Sequence, residues 1–66
     1  MAAREAFEWF VSTSLKNPDP DTLRLLRERR DYLLTLRSED ERQRFVDEVI
    51  VEFRGRLKDR SVRANG

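Results

Sequence analysis

The residues best suited to chemistry are two acidic groups, Glu39-Asp40-Glu41 and the more widely spaced Asp47, Glu48 and Glu52. Carboxylates serve as an acid/base pair when burial drives their pKa values apart. They hold a hard metal ion when several oxygens converge on it. A first-turn acidic run does neither by itself, because it is solvated and already has a task at the positive end of the helix dipole. The chain has no His and no Cys, so the commonest general base and two of the three zinc-ligand types are missing. A Ser or Thr nucleophile would have to lean on two lysines or on scattered acids, none at a recognisable spacing. Glycine occurs only at positions 55 and 66, which excludes a glycine-rich phosphate loop. The expectation is a protein that is not an enzyme and uses no cofactor or metal.

The basic residues offer one further kind of chemistry. Arg54, Arg56, Lys58, Arg60 and Arg63 share their stretch with a single acid, Asp59. Such a patch can contact phosphates, yet the whole chain carries a net charge of only +1, and cations are also favoured at a helix C-terminus. Charge comes in alternating blocks along the chain. Residues 1–21 carry −2, 22–37 carry +3, 38–53 carry −4 and 54–66 carry +4. Neighbouring antiparallel helices would complement one another in this pattern, with Arg24–Glu28, Arg27–Asp31 and Glu52–Arg56 as the nearest pairs within a helix.

Three elements must position these groups. Ala3, Ala6, Phe7, Phe10, Val11 and Leu15 recur at three- and four-residue spacings, which predicts a helix over 2–15 with Trp9 off its apolar side. Pro18 ends it. Asp19 as cap, Pro20 in the first turn and Asp21 beside them start a second helix over 20–36. Its apolar residues form two stripes, Leu23, Leu26, Leu33 and Leu34 on one side and Leu25, Tyr32 and Leu36 on the other. Ser38-Glu39-Asp40-Glu41 reads as a capping box that opens a third helix over 39–58, with Phe45, Val46, Val49, Ile50, Phe53 and Leu57 on one arc. Residues 61–66 are expected to form a flexible C-terminal tail.

The fold expected is all-α, a single domain over 1–60, built as a small three-helix bundle or as a helical hairpin plus an N-terminal helix and completed by dimerisation. A chain of this length buries only about 60% of its unfolded surface and needs a disulfide, a metal or a partner for support. Association is the remedy left. Trp9, Tyr32, Val51, Phe53 and Leu57 are the candidate interface residues, with Phe53 and Leu57 on a helix end that needs cover. The function expected is a small helical interaction, regulatory or adaptor protein that acts as a homodimer on a protein partner not encoded in the sequence. No run is apolar enough to span a membrane, and the start is too polar for a secretory signal, which points to the cytoplasm.

The alternative is a nucleic-acid-associated regulator that uses the basic C-terminal end. Phe7, Trp9, Val11, Thr13 and Leu15 also alternate with Glu8, Phe10, Ser12 and Ser14, as in a half-buried strand. In that case strand, helix, helix is similar in outline to the ribbon-helix-helix repressors, whose paired strands enter the major groove. The similarity is one of topology only, because the outward residues would be Glu8, Phe10, Ser12 and Ser14, a poor match to phosphate-lined surroundings.

Overall fold

The computed structural model describes residues 2–65, with side chains described as far as Lys58. Three helices follow one another, and there is no strand among the described residues. Helix α1 (Ala3–Ser14) forms because Ala3, Phe7 and Phe10 recur at helical spacing and sink into the interior. The strand reading of residues 7–15 fails on the same residues. Phe10, on the polar side of that alternation, is 2% exposed, while Trp9, on its apolar side, is 59% exposed. The ribbon-helix-helix outline goes with it. At the helix start the Glu5 carboxylate accepts the Ala2 amide at 3.2 Å, the half of a capping box that alanine allows.

Leu15 ends α1 and turns inward. Asn17 then takes a φ of 53°, in the left-handed region that a short polar side chain tolerates better than a branched one. Asn17→Val is therefore expected to cost about 1–2 kcal/mol in thermal unfolding and Asn17→Gly to cost nothing. Equal losses from the two would show that the backbone angle is not what Asn17 supplies.

Helix α2 (Pro20–Thr35) starts as its sequence predicts, with Asp19 at the cap, Pro20 first and Asp21 in the first turn. The buried Thr22 donates its hydroxyl to Asp19 and ties the turn to the loop. The helix buries a single line, Thr22, Leu26 and Leu33, with Leu25 and Leu36 half-covered beside it. The helix thus covers neither of its two apolar stripes completely. Leu23, Tyr32 and Leu34 are each about half exposed, because α2 meets α1 only lightly and α1 packs mainly on α3.

Helix α3 (Glu39–Asn65) is capped by Ser38, whose hydroxyl accepts the Glu41 amide at 3.3 Å. The return bond from the Glu41 carboxylate to the Ser38 amide does not form, so the box is half made. The helix runs past the expected end at 58 and on through the expected tail to Asn65; Gly66 lies outside the described residues. No proline follows Lys58, and cations at 60 and 63 suit the negative end of the dipole, so nothing local stops the helix. Gly55 lies mid-helix with open space where a Cβ would stand. Gly55→Ala should stabilise the single chain by about 1 kcal/mol, raising the melting temperature by about 4–8 °C at protein concentrations too low for association.

Cross-helix contacts set the topology. Ala3 meets Glu39, Glu8 meets Arg30, Arg29 meets Glu52 and the Tyr32 ring lies 4.8 Å from that of Phe45. Helices α1 and α3 are therefore parallel and α2 is antiparallel to both, an up-down-up bundle. At about 1.5 Å per residue α1 and α2 are about 18 and 24 Å long, whereas α3 is about 40 Å. The molecule is 43 Å in its longest direction, so α3 spans it and outruns the other two.

Among the described residues the core is nine buried apolar side chains: Ala3, Phe7, Phe10, Leu15, Leu26, Leu33, Val46, Val49 and Phe53. Phe53, expected at a shared interface, lies in this private core, whereas Leu57 keeps part of its surface open. Phe53 is 1% exposed within one chain, and Leu57 packs half-covered against the same cluster. Arg56 shares a shallow depression with Asp21, Arg24, Leu25 and Glu28, which puts the first turns of α2 at this level. Leu15 and Leu26 belong to the same cluster, and the overhang begins only beyond it.

Candidate interaction surface

Among the described residues, Glu8, Arg29, Arg30, Glu39, Arg42 and Glu52 hold the helices together. Arg29 reaches Glu52 with two hydrogen bonds at 3.1 and 3.3 Å, a fork across α2 and α3 that holds the guanidinium further in its charged form. Arg30 pairs with Glu8 at 2.7 Å and lies 6.0 Å from the centre of the Phe7 ring, joining α2 to α1. Arg42 donates to the Leu36 carbonyl at 2.7 Å, satisfying the frayed end of α2, and to Glu39 at 3.0 Å. The three pairs expected within helices do not form. In Arg24–Glu28 and Arg27–Asp31 the base precedes the acid, the weaker order, and Arg24 pairs backward to Asp21 at 2.6 Å. Glu52 is taken from Arg56 by Arg29.

Of the first acidic run, Glu39 alone has a tertiary role. Its carboxylate accepts the Ala3 amide at 2.9 Å, linking the starts of α1 and α3. That bond, with Arg42 second, holds the Glu39 carboxyl below the ordinary carboxylate range. A depressed folded pKa adds stability above the unfolded value and loses it as pH falls through the folded value. Unfolding midpoints taken from about pH 6 to about pH 3 should therefore fall less steeply in Glu39→Gln than in the wild type. Identical slopes would place the acid sensitivity elsewhere. Among the described residues no three carboxylates converge as a metal site would require.

Large apolar side chains also stay open on the surface. Trp9 is 59% exposed, roughly 130° round α1 from the centre of its buried arc. Val51 is 70% exposed, about 160° from the buried arc of α3. Tyr32 is 54% exposed and leans on the half-buried Phe45, and these two with Leu36 form an apolar crevice rimmed by Glu41, Arg44 and Glu48. Three of the five candidate interface residues are thus available, on three separate faces. Leu23 and Leu34 belong with them and escaped sequence reasoning because both fit the expected apolar stripe of α2.

The basic end lies where the bundle thins out. Arg54, Arg56 and Lys58 are exposed and make no ion pair among the described residues. The side chains of Arg60 and Arg63 lie outside the described residues. No helix among the described residues is long and apolar enough to cross a membrane.

Comparison with known protein families, with characterised proteins and with solved structures finds no match. The surface must therefore be read from its own chemistry.

Proposed function

We propose that this protein is a non-catalytic helical interaction module that self-associates in the cytoplasm and presents an apolar helix face to a protein partner. One observation carries the reading. Trp9, Leu23, Tyr32, Leu34 and Val51 stay about half exposed or more after the core has closed. Scattered apolar atoms are ordinary on a surface, but a large aromatic aimed away from its own core is characteristic of interface anchors. With a core this small, association also supplies stability that a single copy lacks. The test is the unfolding midpoint over about a hundredfold range of protein concentration, which rises with concentration when folding is linked to assembly. A midpoint independent of concentration overturns self-association.

A second reading is favoured by the cations of α3 that make no ion pair among the described residues. The exposed Arg54, Arg56 and Lys58 could meet nucleic-acid phosphates. Binding to random duplex at low salt that fades towards physiological salt supports it, and no binding at low salt removes it.

A further inference from the structure

The outward face of α3 carries a pattern that the bundle does not use. Arg44, Glu48, Val51, Gly55 and Lys58 follow at spacings of four, three, four and three, and all five are exposed. That is the heptad spacing of a helix seam, placed opposite the buried arc. The seam has little grease, so what decides its occupant is charge. Residues 38–53 carry −4 and residues 54–66 carry +4, with the sign changing between Phe53 and Arg54. A parallel copy would lay like on like. An antiparallel copy lays the acidic half of each rod along the basic half of the other.

Three midpoints fall within two residues of one another. The centre of Glu39–Asn65 is residue 52, the charge boundary falls at 53–54, and Val51 and Gly55 are centred on residue 53. A two-fold axis at the level of Phe53, on the outer side of the helix, therefore overlaps nearly the full length of both rods. It sets the 70%-exposed Val51 of each copy over the bare Gly55 of the other, where no Cβ holds the helices apart. The same register brings Glu48 opposite the other copy's Lys58, twice per dimer. It also alternates the two heptad seam positions across the axis, as antiparallel coiled coils do. Near the axis Arg54 of one copy lies beside Arg54 of the other on one flank and Glu52 beside Glu52 on the opposite flank, where Glu52 is already paired to Arg29.

We infer that α3 is the self-association element and that its occupant is a second copy of this chain, antiparallel, with Glu48 of each copy paired to Lys58 of the other. The inference rests on the self-associating reading above and fixes its geometry. It leaves Trp9 on α1 free for a partner.

The experiment is a charge swap read as solution mass by light scattering. Glu48 and Lys58 are exposed, so Glu48→Lys and Lys58→Glu should fold like the wild type, which circular dichroism checks. Each reversal turns two attractions into two repulsions and should weaken the homodimer about 10- to 30-fold. An equimolar mixture of the two variants restores both attractions and should give a heterodimer of wild-type strength. The double variant Glu48→Lys/Lys58→Glu should also dimerise like the wild type, a rescue that a parallel pairing does not produce. A dimeric wild type whose reversals change nothing overturns this register and leaves the self-associating reading standing. A monomeric wild type overturns both. Reversals that leave the mass unchanged while Glu48→Lys tightens and Lys58→Glu loosens binding to random duplex would assign the face to nucleic acid and overturn the inference.

Discussion

Phe53→Ala is expected to lose about 3–5 kcal/mol of stability, by the same amount at every protein concentration. Phe53 is 1% exposed inside one chain, and its ring is among the largest fully buried groups of the core. Removing it takes away the transfer energy of the ring and leaves a cavity that short helices can only partly collapse. A domain of this length has about 3–10 kcal/mol in all, so the variant stands at or beyond the edge of unfolding. Chemical denaturation with a stabilising osmolyte keeps the loss measurable. A loss that shrinks or grows with concentration would return Phe53 to a shared interface. Leu57→Ala should follow the same rule with a smaller loss, because Leu57 is only half covered.

Trp9→Ala is expected to do the reverse. Alanine is the better helix former and Trp9 is 59% exposed, so the unfolding midpoint should hardly move. Truncating an aromatic anchor costs an interface about 2 kcal/mol or more, which is about 30-fold in affinity. The measurement is capture from the native host with wild type and variant side by side, followed by titration of the captured protein. An affinity unchanged by the substitution would take Trp9 out of the surface, and a drop in the midpoint comparable with that of Phe53→Ala would make it a core residue.

The two substitutions divide what was legible in the sequence from what was not. Phe7 and Phe10 gave α1 by their spacing, Pro18 to Asp21 gave the break and restart, and Ser38 gave the start of α3. These are local signals, satisfied within one or two turns. Trp9 was placed outside the arc for the same reason. The burial of Phe53 has a tertiary cause, since sequence spacing shows its arc but not that Leu15 and the first turns of α2 reach its level. Glu39 shows the same limit. Its place in a first turn is legible, but its bond to Ala3 joins residues 36 positions apart. The end of α3 was read too early because a polar tail lacking Pro still makes an acceptable helix. The outward seam, by contrast, was present in the spacing of Arg44, Glu48, Val51, Gly55 and Lys58. With Val51 as its one large apolar residue, it lacks the hydrophobic periodicity that marks a helix face.

The most direct test of a closed private core with an associating outer surface is the mass of the wild type by sedimentation equilibrium. At tens of micromolar it should be about twice the 7.9 kDa of the chain, falling to that value on dilution. A mass of 7.9 kDa at every concentration, with cooperative unfolding, would contradict it.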